Sequence, residues 1–361
     1  MAKRKIDFRK LNPETFDWKK GSAKLAGDYS EDFRKWWDPN KFNWEEGSKF
    51  LARYCSKYFE KWWDDKEFNW DDGSKYLACY CSKYFDIWWD PDRFNWDQGS
   101  SDLCKYCSYD YTIWWDPDRF NWEKGSASLS KYYSSYFKTW WDPERFNWKK
   151  GSVNLCKYFY DSFDDWWDPD RFNWGKGSWY LCEYFCNSFD DWWDPDKFNW
   201  KSYSRLLCEY YYNSFDDWWD PKKFNWENGS YHLCFYCSND FHTWWDQEKY
   251  DWKGGTNNLF HFFSEHYDTW WDAKRFNWDY SHLLAEHYPE SFDTWWNPKK
   301  FNWMLGSLYL ARYCSKHLKT WYESDKLNWG FKGFGSALNK YCEENKDHWA
   351  LDYVIKTLVS K

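Results

Sequence analysis

Apolar residues recur with helical spacing inside a segment that is itself repeated along the chain. In the segment that begins at Trp96, these residues are Leu103, Cys104, Cys107, Tyr111 and Trp114. Positions 0, 1, 4, 8 and 11 of this series lie on one face of an α-helix. The pattern therefore predicts a long helix over 101–115, with its apolar side turned toward a core.

Residues that favour helix ends flank this predicted helix on both sides. Gly99 suits the left-handed conformation that closes a helix, and Ser100 is a good N-cap for the next one. Further on, Asp116 can cap and Pro117 can begin a second, short helix over 117–124. Each segment therefore predicts a helical hairpin, in which a short helix or 3₁₀ segment follows a long helix.

The same segment recurs throughout the chain with a nearly constant period. The Trp that closes each F-N-W triplet, or its variant, occurs thirteen times from Trp18 to Trp329. Its intervals are 26 residues, except for 25 between Trp278 and Trp303. A unit this short cannot bury its apolar face alone, so consecutive units must stack. We therefore predict an all-α solenoid of thirteen such repeats.

This period also sets the predicted domain boundaries. A basic N-terminal segment and cap occupies residues 1–15, and one continuous Trp-rich array occupies residues 16–329. A divergent last repeat and a C-terminal capping helix occupy residues 330–361. The tail LDYVIKTLV has the apolar spacing of a helix that covers the end of the stack.

The F-N-W triplet leaves a second architecture open. Phe120 and Trp122 are two residues apart, which places them on one face of a strand but in nearly opposite directions on a helix. With F-N-W as a short parallel strand and Asn121 in a hydrogen-bonded ladder, the chain would be an α/β horseshoe like that of leucine-rich repeats. The chain has only seven Ile and Val residues, which favours the all-α solenoid.

Composition changes the expected core from aliphatic to aromatic. The 361 residues include 38 Trp, 31 Tyr and 30 Phe, and each ring can bury about 150–250 Å². The net charge of −8 argues against binding a nucleic-acid backbone, and no apolar run approaches the roughly 20 residues that span a bilayer. Without a secretory signal, the 13 cysteines are expected to be reduced thiols in a cytoplasmic protein.

The sequence shows no pattern that indicates catalysis or cofactor binding. Most cysteines follow the repeat Leu inside a predicted helix, where small or apolar residues replace them in other units, so packing explains them better than zinc. The segments HFFSEH and HLLAEH place two histidines five residues apart, whereas the zinc-protease helix motif needs four. Phosphate-binding glycine loops and the G-x-S-x-G motif are absent from the sequence. We expect no enzymatic activity, no metal and no cofactor.

Two sets of residues recur at positions from which they could bind a ligand. Adjacent tryptophans on a helix point about 100° apart, so both can be buried only if the hairpin is covered on two sides; otherwise the second of each pair forms an exposed aromatic ladder. These tryptophans are Trp63, Trp89, Trp115, Trp141, Trp167, Trp193, Trp219 and Trp245. Three consecutive units carry an Asp pair, which predicts an acidic stripe for a basic partner, neutralised in part by a following cation. The acids are Asp164, Asp165, Asp190, Asp191, Asp216 and Asp217, and the cations are Arg171, Lys197 and Lys223.

A non-enzymatic protein-interaction scaffold is the function that this architecture favours, with binding along an extended solenoid surface. We expect a protein partner, and we do not expect nucleic acid or a membrane. One alternative is an aromatic groove that binds a linear polymer, either single-stranded nucleic acid or a glycan. The other is a structural element that self-assembles, so the chain is expected to be a monomer or an end-to-end assembly.

Overall fold

The computed structural model describes residues 14–322, 326–328, 330, 336, 337 and 340. These residues form α-helices, 3₁₀ helices and turns and contain no strand, so the all-α prediction is confirmed and the leucine-rich-repeat-like alternative is wrong. The chain comprises two compact units, Met1–Asp194 and Pro195–Lys361. Most of the predicted N-terminal segment and nearly all of the predicted C-terminal capping helix lie outside the described residues.

Each repeat of the first unit contains an 11-residue helix and a four-residue helix, and in six of the seven repeats a 3₁₀ helix lies between them. A turn follows the short helix. The long helices are Trp18–Asp28, Trp44–Tyr54, Trp70–Tyr80, Trp96–Tyr106, Trp122–Tyr132, Trp148–Tyr158 and Trp174–Tyr184. The 3₁₀ helices are Ser30–Asp32, Ser56–Tyr58, Ser82–Tyr84, Ser108–Asp110, Ser134–Tyr136 and Tyr160–Ser162. The short helices are Phe33–Trp36, Phe59–Trp62, Phe85–Trp88, Tyr111–Trp114, Phe137–Trp140, Phe163–Trp166 and Phe189–Trp192. Consecutive long helices pack side by side along this unit.

The second unit has the same order of elements. Its complete long helices are Trp200–Tyr210, Trp226–Tyr236, Trp252–Phe262 and Trp303–Tyr313. Its 3₁₀ helices at the corresponding position are Tyr212–Ser214, Ser238–Asp240, Ser264–His266, Pro289–Ser291 and Ser315–His317. Its short helices are Phe215–Trp218, Phe241–Trp244, Tyr267–Trp270, Phe292–Trp295 and Leu318–Trp321. One repeat lacks one residue, and there the α-helix Ser281–His287 is preceded by the 3₁₀ helix Trp278–Tyr280. A 3₁₀ helix rises more per residue than an α-helix, which compensates for the missing residue.

The long helix begins about five residues earlier than predicted. It starts at Trp96 rather than at residue 101, and it ends at Tyr106. Gly99 and Ser100 are therefore buried inside the helix and do not mark a junction between two helices. A Cβ atom on Gly99 would lie 2.3 Å from Cζ of Phe94, so the Phe94 ring packs directly against this glycine. The glycine thus reflects close packing between a helix and the turn that precedes it.

The predicted short helix over 117–124 is wrong, because residues 117–120 form a turn. Oδ1 of Asp116 accepts the backbone N–H groups of Asp118 at 2.9 Å and of Arg119 at 3.2 Å. The carbonyl oxygen of Asp116 accepts the N–H of Phe120 at 2.9 Å. Asp116 therefore caps as predicted, but it closes a turn that leads into the next long helix.

The Asn of the F-N-W triplet joins consecutive repeats by hydrogen bonds. Oδ1 of Asn121 caps its own helix by accepting the N–H of Lys124 at 3.0 Å. The N–H of Asn121 donates to Oγ of Ser100 at 3.0 Å, and its Nδ2 donates to the Asp97 carbonyl at 3.3 Å, both in the preceding long helix. Oγ of Ser100 is buried and itself donates to the Trp96 carbonyl at 2.6 Å. This serine–asparagine bridge recurs in both units, at Ser22–Asn43, Ser48–Asn69, Ser74–Asn95, Ser126–Asn147, Ser152–Asn173, Ser204–Asn225, Ser281–Asn302 and Ser307–Asn328.

The core of each repeat combines one leucine, one small residue and several rings. Leu103 and Cys104 are buried on the inner side of the long helix, and Trp114 is buried at the end of the short helix. Nε1 of Trp114 donates to the Cys107 carbonyl at 2.9 Å, so the only polar atom of this ring is paired. Sγ of Cys107 contacts the Ala78 carbonyl of the preceding repeat at 3.7 Å. The predicted aromatic core is therefore assembled between repeats as well as within them.

Burial controls the chemistry of the described cysteines, which form no disulfide. Desolvation raises the pKa of Cys55, Cys81 and Cys314 to about 12, so these thiols stay protonated at neutral pH. Cys186 is exposed in the turn that replaces a 3₁₀ helix. Since the thiolate is the reactive form, the buried thiols act as small apolar groups.

We expect that Ser100→Ala lowers the free energy of unfolding around its bridge by about 1–3 kcal/mol, because the part-buried N–H of Asn121 loses its acceptor. The matched control is Ser101→Ala in the same helix, whose half-buried hydroxyl bonds to the equally accessible Ser128 hydroxyl at 2.8 Å. Amide hydrogen exchange measured peptide by peptide reports the local stability of a repeat protein. Equal loss of protection in the two variants would contradict this role for Ser100.

Cys186 should react with a thiol reagent such as 5,5′-dithiobis(2-nitrobenzoate) at pH 8 well before Cys55, Cys81 or Cys314 does, because their raised pKa keeps them protonated. The variant Cys186→Ser should remove one equivalent from the fast phase of the native protein. In urea both proteins should release all their thiols. An unchanged fast phase in the variant would show that burial does not control these cysteines.

Candidate interaction surface

The three tryptophans of each junction between repeats occupy different environments. Trp88 is fully buried and donates its indole N–H to the Cys81 carbonyl at 2.9 Å. Trp96 is half-buried and donates its indole N–H to the Pro91 carbonyl, also at 2.9 Å. Trp89 is half-buried, and its indole N–H has no hydrogen-bond partner within the part of the chain that the structure describes. Of the three, Trp89 is therefore the one with a donor available to a ligand.

The ring of Trp89 is partly covered by rings of its own repeat. The backbone leaves the short helix at Trp89 in an extended conformation, with φ −64° and ψ 118°. The indole stacks on Phe85 at 5.1 Å between ring centroids and meets the edge of Trp96 at 5.5 Å. Phe94 lies against it at 5.2 Å. Trp89 therefore contributes to packing as well as to the surface.

The other predicted ladder tryptophans share this environment, and all eight are half-buried. Each lies against the Phe or Tyr four residues earlier, at 4.9–5.6 Å between ring centroids. In the first unit they are Trp63, Trp89, Trp115, Trp141, Trp167 and Trp193, and in the second unit Trp219 and Trp245. They present partly covered rings at one repeat position, and their role in binding stays a prediction.

The predicted acidic residues are all exposed. They lie in the first turn of three short helices, Phe163–Trp166 and Phe189–Trp192 in the first unit and Phe215–Trp218 in the second. The six acids are Asp164, Asp165, Asp190, Asp191, Asp216 and Asp217. Each pair is placed where a basic group could reach it, and a role in docking stays a prediction.

Two cations that were expected to neutralise these acids pair with other residues. Arg171 forms ion pairs with Glu144 at 2.5 Å and Asp168 at 3.3 Å, and Lys223 forms one with Asp196 at 2.6 Å. Glu144 and Asp196 belong to the turn of the preceding repeat, as do the acids that pair with other turn cations. Such pairs join Arg93 to Asp65, Arg119 to Asp92, Arg145 to Asp118 and Arg275 to Glu248. The turn cations therefore connect repeats and leave the Asp pairs available.

The two histidine segments contribute to ring packing. In HFFSEH, His261 lies against Phe262 at 4.6 Å and His266 stacks on Phe241 at 5.2 Å. In HLLAEH, His282 contacts Tyr309 at 5.1 Å, and its partial burial lowers its pKa. Among the residues that the structure describes, no group of three or more His, Cys, Asp or Glu side chains could hold a metal ion.

A row of tyrosines at the ends of long helices forms a surface that the sequence analysis missed. Tyr54 and Tyr80 are each 40% exposed and Tyr132 is 38% exposed, while Tyr106 and Tyr158 are half-buried. An exposed cation precedes four of these tyrosines in the chain. We call the nine residues the tyrosine–cation strip: Arg53, Tyr54, Tyr80, Lys105, Tyr106, Lys131, Tyr132, Lys157 and Tyr158.

Each cation of the strip is held close to a tyrosine ring. Measured from Nζ to the ring centroid, the distances are 4.8 Å for Lys105 and Tyr106, 5.1 Å for Lys131 and Tyr132, and 5.6 Å for Lys157 and Tyr158. The Arg53 guanidinium lies 5.0 Å from the Tyr54 ring and 6.0 Å from the Tyr80 ring, and so serves two tyrosines. A cation over an exposed ring gains about 0.5–1 kcal/mol, which favours these side-chain positions.

The helix pattern could have predicted the outward direction of the strip tyrosines. Tyr106 falls outside the apolar face that contains Leu103, Cys104 and Cys107, so a helix must direct it away from the core. Treating Tyr as a general core residue in this aromatic-rich chain concealed that signal. The recurrence of a cation immediately before Tyr in repeats 26 residues apart was the second signal.

None of the described helices is both long and apolar enough to cross a membrane. The chain matches no protein-family model, no curated protein and no solved structure in comparisons with each. Its function must therefore be inferred from the surfaces described above.

Proposed function

We propose that this protein is a non-enzymatic protein-interaction scaffold, and that the tyrosine–cation strip of the first unit is its principal binding surface. The observation that carries the proposal is the row of five tyrosines on consecutive long helices, with four exposed cations held against their rings. The helices beneath them are fixed by a buried leucine core and by the serine–asparagine bridges. A rigid repeated support of this kind presents an extended surface for binding.

The residue types of the strip are those that protein interfaces use most. Tyr and Arg are enriched among the residues that dominate binding energy, and Tyr loses little conformational entropy on binding. A ring that already holds its cation reduces the ordering cost further, because fewer rotamers must be frozen. Unpaired positive charge also accelerates encounter with an acidic partner.

Two other functions have weaker support. Binding of a polymer by stacking needs accessible ring faces, whereas the eight ladder tryptophans are partly covered by their own repeats. End-to-end assembly depends on residues near the chain ends, which lie mainly outside the described part. The many protonated, unbridged thiols favour a reducing compartment, and we propose the cytoplasm.

The proposed function predicts that Tyr54→Ser combined with Tyr132→Ser abolishes specific recovery of proteins by the tagged full chain from a cell extract. A matched control is Tyr109→Ser combined with Tyr160→Ser, which removes two exposed tyrosines of the same unit outside the strip. Quantitative mass spectrometry should show at least a tenfold loss for the first variant and none for the second. Circular dichroism verifies that both variants are folded.

The same experiment can reject the scaffold. Equal recovery by the two tyrosine variants would show that the strip is not the binding surface. Absence of specific proteins, together with a particle size in light scattering that grows with concentration, would instead indicate a self-assembling element. Quenching of tryptophan fluorescence by an oligonucleotide or oligosaccharide would indicate a polymer binder.

A further inference from the structure

The cations of the tyrosine–cation strip lack acidic partners. Arg53, Lys105, Lys131 and Lys157 form no ion pair within the described residues. The turn cations of the same unit instead each pair with an acid of the preceding repeat, as Arg119 does with Asp92 at 2.7 Å. The protein as a whole carries a net charge of −8, so this row of unpaired cations is positive on a protein that is negative overall.

The charge of the strip ends abruptly at its neighbours. Before Arg53, the corresponding positions are Gly27 and Asp28, and after Lys157 the position of the cation is taken by Glu183. Glu183 is exposed and precedes Tyr184, so the tyrosine persists where the cation does not. Positive charge on this face is therefore a local property of four repeats, interrupted at Cys79, and not a requirement of the fold.

The spacing of the strip is set by the packing of consecutive long helices, whose axes are about 8–10 Å apart. Arg53 sets an upper limit on this spacing. Its distances to the Tyr54 and Tyr80 rings, 5.0 Å and 6.0 Å, limit the separation of those ring centroids to their sum, 11.0 Å. Cys79 takes the cation position between Arg53 and Lys105. A ligand that matches Lys105, Lys131 and Lys157 must therefore present a negative charge roughly once in every such interval, and its next charge must reach Arg53 two intervals away.

The period of a polyproline II helix matches the spacing between neighbouring positions of the strip. This helix has three residues per turn and rises about 3.1 Å per residue, so every third side chain lies on one face, about 9.3 Å from the previous one. In a β-strand, by contrast, same-face side chains are about 6.6–6.8 Å apart, which does not match. Proline-rich segments in this conformation also pack on exposed aromatic residues, which the tyrosines supply.

Nucleic acid fits the strip less well. Bases bind by stacking on open ring faces. The strip tyrosines already hold a cation within about 6 Å, and Tyr54 and Tyr80 also stack on Phe50 and Tyr76 of their own helices, at 6.3 Å and 6.4 Å. Carboxylates can approach the cation directly, and a proline ring can pack against any exposed part of a tyrosine side chain, without the open ring face that a base needs.

We propose that the tyrosine–cation strip binds a proline-rich acidic segment of a partner protein in the polyproline II conformation, with an Asp or Glu at every third residue. The carboxylates contact Arg53, Lys105, Lys131 and Lys157, and the prolines pack against the tyrosines between them. This inference rests on the proposed scaffold function and specifies the class of partner. The four intervals of the strip span about 32–40 Å, which corresponds to about 10–13 residues of ligand.

The test is fluorescence anisotropy with the full chain and a labelled 15-residue peptide, (Pro-Pro-Glu)₅, at about 0.15 M salt. We expect it to bind at least tenfold more tightly than (Pro-Pro-Gln)₅, which lacks the charge. It should also bind at least tenfold more tightly than Pro₅-Glu₅-Pro₅, which has the same composition without the threefold spacing. Equal affinity for either control peptide, or tighter binding of a 15-nucleotide oligo(dT), would overturn the proposal.

Variants that neutralise the strip lysines test whether the peptide binds at the strip. Lys105→Gln, Lys131→Gln and Lys157→Gln in one chain should raise the Kd for (Pro-Pro-Glu)₅ at least tenfold. The matched control changes Lys149, Lys150 and Lys176 to Gln, which removes the same charge from the first turns of long helices, at their opposite ends. Equal weakening in the two triple variants would show that overall charge, and not the strip, accounts for the binding.

A variant that binds the peptide more tightly provides a further test, because a loss of folding cannot produce a gain of affinity. Glu183→Lys places a cation before Tyr184 and extends the strip by one repeat. It should tighten binding of (Pro-Pro-Glu)₆ at least threefold, while binding of (Pro-Pro-Gln)₆ stays unchanged. Unaltered affinity for the acidic peptide would contradict the proposal that successive glutamates contact the cations of successive repeats.

Failure of this inference differs from failure of the scaffold. If the strip tyrosines govern recovery of proteins from an extract but the acidic peptide does not bind, the partner class is wrong and the scaffold stands. If those tyrosines have no effect on recovery, the proposed function fails, and with it this inference.

Discussion

At nine places in the described residues, a single buried serine hydroxyl joins a long helix to the asparagine of the triplet that follows it, and the rest of the structure depends on that bridge. Ser100 uses its Oγ twice, donating to the Trp96 carbonyl within its own helix and accepting the N–H of Asn121, the N-cap of the next long helix. Asn121 in turn caps the next long helix. The start of one helix is thereby tied to the interior of the previous one. Since an isolated repeat has too little apolar surface to fold, this tie fixes the register in which neighbouring repeats bury their cores.

The aromatic composition follows from the short repeat. With eleven residues in the long helix and four in the short helix, few side chains are available to fill the space between layers. Large rings supply the necessary area, and they also satisfy their own polar atoms through nearby carbonyls, as Trp114 does through Cys107. The second Trp of each pair completes this ring cluster at its outer edge. Most of the described tryptophans therefore contribute to packing, and tyrosine is the most frequent exposed aromatic residue in the described part of the chain.

The sequence predicted the architecture better than the helix boundaries or the surface. The 26-residue period, the scarcity of Ile and Val and the spacing around Leu103 led to the all-α fold. Gly99 and Ser100 were misplaced because glycine and serine are typical of helix ends, whereas here close packing against Phe94 and the bridge to Asn121 require them inside a helix. Such long-range causes leave no local signal. Tyr106 was overlooked for a different reason: its outward direction follows from the helix pattern, but its pairing with Lys105 has significance only when neighbouring repeats are aligned in space.

Binding along the tyrosine–cation strip is tested most directly by zero-length carbodiimide cross-linking of the acidic proline-rich peptide to the full chain. The linked residues are identified by mass spectrometry. This reagent joins a carboxylate to an amine only when the two are in contact. A peptide bound along the strip should give cross-links to Lys105, Lys131 and Lys157, each to a different glutamate and in the order of the repeats. Cross-links that fall instead on Lys149, Lys150 and Lys176, or that show no order along the peptide, would contradict binding along the strip.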